Sequence, residues 1–226
     1  MTETGTPARP DIPARRKGSG RSVGSVLKAI LPDAWYRHLK AMRDLDTPAR
    51  WTYLRWRFRR PRPMRGEPPP SSVLFVCYGN IIRSALAEQL LRREWNERGV
   101  RETVVRSAGV HARPGRAADD RAIRLAPEFG VSLEAHRASP LTEASIAAAE
   151  VIIVMDYLNQ AELVARYPSA GSRLRLIGEY MAGGEFLELP DPYMEDEGAV
   201  RETFVLLDRA VRSLASRYPS ISGGVI

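Results

Sequence analysis

The lone cysteine of the chain, Cys77, stands six residues before Arg83 and seven before Ser84, within VLFVCYGNIIRSALAE (residues 73–88). A thiol, a guanidinium and a hydroxyl at that spacing suit nucleophilic chemistry on an oxyanion. Between them lie Tyr78, Gly79, Asn80, Ile81 and Ile82. Gly79 and Asn80 tolerate unusual backbone dihedrals, so this loop can curl with its N–H groups inward. A helix opening at Arg83 adds free amide donors and partial positive charge. Arg83 itself can fork two hydrogen bonds onto phosphate oxygens. The same positive field favours the thiolate, which makes Cys77 an in-line nucleophile on phosphorus. The bland alternative is a small buried cysteine that only packs. The ordered run of strand, cysteine, five-residue loop, Arg-Ser and helix favours the nucleophile.

Phosphoryl transfer to a thiolate also needs a proton for the departing oxygen. That acid must lie outside the cradle, which has to stay electropositive. Asp191, in LPDPY (189–193), is the candidate. Read alone, its Asp-Pro dipeptide is a common turn signal.

These residues need a scaffold. From Val73 onward, strand candidates at 73–77, 103–107, 150–155 and 173–177 alternate with helix candidates at 83–98, 119–129, 142–148, 157–167 and 197–217. Such alternation predicts an α/β domain, a three-layer α/β/α sandwich on a four-stranded parallel sheet. Ligands of open parallel sheets bind beyond the carboxyl ends of the strands, where Cys77 sits. The chain shows no internal repeat and no GxxxxGK[ST] loop.

VCYGNIIRSALAE resembles the phosphate-binding loop of the low molecular weight protein tyrosine phosphatase family. RSAG (106–109), AHRASPLT (135–142), VIIVMD with Asn159, and LPDPY resemble its further motifs in order, over roughly residues 72–218. The resemblance implies a phosphocysteine at Cys77, phosphate binding by 78–84, and transition-state stabilisation by Arg83. It implies a hydrogen bond from Ser84 to the thiolate. Asn80, Ser107 and His136 would support the loop, and Asp191 would act as acid and then base. Pro192 and Tyr193 would shape the acid loop, with Tyr193 lining the cleft beside Ile81, and no metal or other cofactor is implied.

Four departures matter. Ile82 replaces the family's second cysteine, so no protective disulfide can form, and a cysteine-relay arsenate reductase is disfavoured. Ala85 replaces a proline, with little expected consequence. His111 or Arg113 stands where an aromatic ring usually walls the cleft. Ile81 replaces the Thr of the related protein arginine phosphatases, and its apolar bulk favours the flat ring of phosphotyrosine. A non-catalytic phosphate-binding scaffold, recruited through its N-terminal helices, is the reading from another class. It conflicts with the presence of Cys77, Arg83 and Asp191 together.

The charge of +7 is unevenly placed. Residues 1–70 hold 16 Lys+Arg against 6 Asp+Glu, a net of +10, and residues 71–226 hold 18 against 21, a net of −3. One cysteine in 226 residues permits no internal disulfide and fits a reducing, cytoplasmic compartment. No signal peptide is read, and no apolar run reaches the ~18 residues of a membrane span. Residues 1–22 read as a disordered basic tail and 61–71 as a proline-rich linker. Residues 219–226 form a C-terminal tail. The segment 23–60 reads as a basic, aromatic helical extension. Leu31, Ala34, Trp35, His38, Met42 and Leu45 mark one helix face. Thr47 is the expected N-cap of a second helix, with Pro48 at its first position. This extension suits an anionic membrane surface, a protein partner, or the net-negative phosphatase domain itself. No module for specific nucleic-acid binding is present. The resemblance implies a phosphotyrosine protein as substrate, with a tyrosine kinase of surface-polysaccharide export as a fitting partner. The location it suits is peripheral to the inner face of the membrane.

Overall fold

The computed structural model describes residues 43, 45–57, 69–181 and 188–218. The basic tail, the 31–42 helix face, most of the linker and the C-terminal tail lie outside them.

Four parallel strands form the sheet: β1 (Ser72–Cys77), β2 (Val104–Gly109), β3 (Val151–Val154) and β4 (Leu174–Leu176), in the order β2-β1-β3-β4. Side chains alternate across a strand, and both faces of this sheet are covered. Val73, Phe75 and Cys77 enter one apolar cluster, while Leu74 and Val76 enter the other. On the first face lie helix α2 (Arg83–Glu97) and the long C-terminal helix. The second face is covered by α4 (Glu143–Ala148) and α5 (Tyr157–Arg166). The three-layer architecture is therefore as expected.

Between β2 and α4, the expected 119–129 helix divides. Helix α3 runs Asp120–Leu125, and a 3-10 turn follows at Ala126–Phe129. Pro127 has no N–H for the α-helical ladder, and Gly130 at φ 68° ends the turn. The C-terminal helix α6 (Glu197–Ser216) starts where Asp196 accepts from Ala199 N. It buries Val200, Phe204, Leu207, Val211 and Leu214, one stripe at spacings of three and four.

Residues 45–57 of the basic extension lie on the phosphatase domain. Helix α1 (Thr47–Arg57) buries Leu45, Ala49 and Tyr53 in the second cluster, with the Tyr53 ring edge-on to Tyr157 at 6.3 Å. Its cap is not Thr47. Asp46 accepts from Ala49 N at 2.9 Å, so Thr47 and Pro48 are the first two helical residues. A carboxylate one residue earlier reaches the third helical N–H, which is what an N-cap needs.

This docking predicts a stability effect far from the chemistry. Tyr53→Ala should cost about 3 kcal/mol or more in urea unfolding, as other buried aromatic truncations do. Trp51, 71% exposed on the other side of the same helix, should change stability by no more than about 0.5 kcal/mol when truncated. Equal effects of the two would contradict the docking. Among the described residues, no helix is long and apolar enough to cross a membrane.

Candidate active site

Strand β1 delivers Cys77 to the carboxyl edge of the sheet, and the chain then loops over that edge into α2. Asn80 makes the turn possible. Its φ of 54° is the one positive value at a non-glycine residue among those described. Gly79, equally expected to take such a conformation, does not adopt it. Asn suits the left-handed region because its short polar side chain can bond locally.

Here those bonds hold the loop. Asn80 Nδ2 donates to Ser84 Oγ at 2.9 Å and to Ser107 Oγ at 2.8 Å. Asn80 Oδ1 accepts from Ser139 N at 2.8 Å. His136 Nε2 lies 2.7 Å from the Asn80 carbonyl oxygen, so that ring nitrogen carries a proton. Of the four predicted loop supports, Ser84, Ser107 and His136 therefore converge on the fourth, Asn80. Ser139 and Glu88, which accepts from Ser107 Oγ at 2.5 Å, complete the network.

The same network addresses the sulfur. Ser84 Oγ lies 3.0 Å from Cys77 Sγ and accepts from Asn80. Its single hydroxyl proton has the sulfur as its nearer acceptor, the Ala108 carbonyl lying at 3.4 Å, and the Asn80 N–H also reaches the sulfur at 3.3 Å. The first turn of α2 has no acidic residue, and Ile82 caps it with no side-chain bond. Its amide donors are left for an anion.

Arg83 is 1% exposed and is gripped from behind. Nη1 donates to Asp156 Oδ2 at 2.6 Å and to the Leu189 carbonyl at 2.9 Å. Nη2 pairs with Asp191 Oδ2 at 2.6 Å, and the buried Nε has no partner. Burial opposes the charge on Arg83, but Asp191, Asp156 and Cys77 more than offset it and raise its pKa. Asp156 also caps α5, accepting from Asn159 N at 2.7 Å. One carboxylate thus ties the helix to the guanidinium.

Asp191 stands across the cleft, on a loop braced at several points. Leu189 N donates to the Met155 carbonyl at 2.7 Å. Arg121 donates to the carbonyls of Tyr193 at 3.0 Å and Glu195 at 2.5 Å. Asp119 holds Arg121 by two oxygens, at 2.8 and 3.0 Å. Hydrogen bonding from Arg121 is the main cause that keeps Asp119 below the usual carboxylate range.

A cleft of about 250 Å³ opens above the sulfur, between Ile81, Tyr78, His111 and Tyr193. The expected wall residues Ile81, His111, Arg113 and Tyr193 all line it, and Ile82 does too. Tyr78 joins them with its ring, 4.5 Å from that of His111. His111 Nε2 is in turn held 2.5 Å from Glu162. Two tyrosines and an imidazole thus share the wall with Ile81, Ile82, Arg113 and Arg116.

Gly109 is a site residue that motif reading quoted without a role. It pairs in register with Cys77, and a Cβ there would lie 2.8 Å from Asn80 N and 2.9 Å from Gly79 C. Both are cradle backbone atoms that cannot simply swing away. Gly109→Ala should therefore lower stability by about 1–3 kcal/mol. It should also lower aryl phosphate turnover roughly tenfold or more by displacing the cradle. Normal turnover with normal thermal unfolding would contradict the close approach.

A family model described as low molecular weight phosphotyrosine protein phosphatase matches residues 72–220. The chain is 35% identical over 147 residues to the low molecular weight protein-tyrosine-phosphatase Etp of Escherichia coli K12, covering 65% of this chain and 94% of Etp. It is also similar to the tyrosine phosphatase Wzb of Escherichia coli K30, solved in complex with sulphate. There the identity is 32% and the TM-score 0.60, over 65% of this chain and 97% of that one. The YwlE arginine phosphatase of Geobacillus stearothermophilus is 28% identical with a TM-score of 0.59, over 65% and 92% of the two chains.

Proposed function

Because this chain belongs to the low molecular weight phosphotyrosine protein phosphatase family, we propose that it is a protein-tyrosine phosphatase acting through a phosphocysteine at Cys77. The observation that carries this reading is the Cys77–Ser84–Asn80 network beneath a cleft faced by Arg83 and Asp191.

The ester's phosphate enters the cradle, and Arg83 Nε and Nη2 take two of its oxygens. Taking Nη2 frees Asp191 to turn to the leaving oxygen, and the step uses its protonated form. Cys77 Sγ attacks phosphorus in line. The S–P bond forms as the P–O bond breaks, and Asp191 gives its proton to the leaving phenolate oxygen. Cradle N–H groups and Arg83 stabilise charge spread over the equatorial oxygens. Water then attacks phosphorus, Asp191 takes its proton, and phosphate departs to regenerate the thiolate.

Phosphoarginine is the second substrate to weigh, since arginine phosphatases are among the similar structures. The cleft opposes it. Tyr78, Ile81 and Tyr193 suit a flat ring, and Arg113 and Arg116 in the same wall would repel a guanidinium leaving group. Paired peptides carrying phosphotyrosine or phosphoarginine test this choice. Phosphotyrosine should give the higher kcat/KM, and a clear preference for phosphoarginine would overturn it.

The expected partner is a tyrosine-phosphorylated protein, with a tyrosine kinase of surface-polysaccharide export as the finer reading. In this account the enzyme works in the cytoplasm, peripheral to the membrane through its basic extension. Cosedimentation with anionic vesicles, lost on deleting residues 1–40, is the expected result. No cosedimentation at low salt would reject the membrane part.

A further inference from the structure

The chemistry of the cleft uses one phosphate, yet the mouth carries more positive charge than that phosphate needs. Arg113 and Arg116 both line it. They are the two ends of one tight turn, Arg113-Pro114-Gly115-Arg116. Proline sits at its second position, Gly115 at φ 73° occupies the third, and Arg116 N donates to the Arg113 carbonyl at 3.2 Å. This is the pattern of a type II turn, which brings its first and fourth residues close together. The two arginine side chains thus start from neighbouring backbone positions at the mouth of the cleft.

The turn is anchored rather than loose. Gly115 N donates to the Ala138 carbonyl at 2.9 Å, and Ala138 N donates to the Arg116 carbonyl at 2.8 Å. Arg116 is aimed by Tyr193. Its guanidinium lies 5.7 Å from the ring centroid, and Nη2 is 3.3 Å from the hydroxyl. Neighbouring arginines are neutralised locally: Arg121 by Asp119, Arg124 by Glu197 and Arg166 by Glu162. Among the described residues, no carboxylate lies within ion-pair distance of Arg113 or Arg116; Asp119, which feels the charge of Arg116, is already held by Arg121. The surrounding segment 71–226 is net negative, so this positive rim is a local feature. Exposed fields are screened within about 8 Å at physiological salt, so the rim acts only on groups near the mouth.

We propose that Arg113 and Arg116 form a second anion site, which takes a carboxylate or a second phosphate on the peptide beside the phosphotyrosine. The inference rests on the phosphotyrosine reading. With the reacting phosphate in the cradle and its ring between Tyr78, Ile81 and Tyr193, the peptide main chain emerges at the mouth. Flanking side chains then meet the arginine pair. The enzyme thereby favours acidic or multiply phosphorylated tyrosine segments.

The test uses the full chain and three phosphotyrosine peptides: one with neutral flanks, one with flanking glutamates, and one with a second phosphotyrosine. Either anionic peptide should exceed the neutral one in kcat/KM by roughly three- to tenfold, mainly through KM, the scale of one or two exposed ion pairs. High salt should erase the difference. A gain confined to the doubly phosphorylated peptide identifies phosphate as the ligand, and a similar gain for glutamate identifies a general anion site. In the double variant Arg113→Gln/Arg116→Gln the anionic-to-neutral ratio should fall to about one, whatever the absolute rate. Equal kcat/KM for all three peptides in the unaltered protein overturns the second site, as does a ratio that survives in the double variant. If the neutral peptide is still turned over, only the second site falls. If no peptide is turned over, the phosphotyrosine reading falls with it.

Discussion

Cys77→Ser should abolish turnover of aryl phosphates, by a factor on the order of 10⁴–10⁶, comparable to removing the nucleophile of other covalent enzymes. The loss would come from chemistry and not from the cradle. Asn80, Ser107, Ser139 and His136 hold the loop through contacts that do not involve the sulfur. The variant should therefore fold, and inorganic phosphate should still raise its melting temperature by linkage. A serine hydroxyl is a far poorer nucleophile than a thiolate in the same positive field. Retention of more than a few per cent of turnover would mean that another group attacks phosphorus.

Asp191→Ala should be the second largest effect, and it should depend on the leaving group. General acid catalysis contributes about 10²–10⁴-fold. That range applies where the departing oxygen needs its proton, as in phenyl phosphate or phosphotyrosine. An acidic phenol, such as that of 4-nitrophenyl phosphate, leaves with less help, so its loss should be much smaller. The structure adds a second expectation. Asp191 occupies Arg83 Nη2 at 2.6 Å, where a phosphate oxygen would bind. Its removal takes away both a competitor and a negative charge, so phosphate should bind the variant more tightly. Equal losses for both leaving groups would reject the acid role, and weaker phosphate binding would reject the competition.

Much of this site is legible in the sequence. Cys77, the curling loop and Arg83 form a local unit, and local units leave a mark in spacing. The switch from a two-residue to a helical period at Arg83 placed the cradle at the sheet edge. What was not legible depends on chain segments far apart. Asp156 meets Arg83 from 73 residues away. Its sequence signature, a capping Asp ahead of Asn159 after a buried strand, speaks only of a helix start. Arg121 bracing the acid loop and Gly109 lying under Asn80 are likewise tertiary facts. In the extension, Leu45, Ala49 and Tyr53 stand at strict four-residue spacing and bury against the domain, one of the three placements its basic, aromatic composition left open. The aromatic part of the wall was partly hidden because Tyr78 reads as a cradle residue by position, yet its ring turns into the cleft beside His111.

The central claim is that phosphorus passes through Cys77. Brief reaction with a radiolabelled aryl phosphate, acid quenching and peptide mapping tests it directly. The account predicts label on the peptide containing Cys77, as a thiophosphate ester, in the unaltered protein and none in Cys77→Ser. It also predicts more trapped label in an Asp191 variant given a good leaving group, because water activation is then slow. Full turnover with no label on Cys77, or label on a histidine, serine or carboxylate instead, would contradict it.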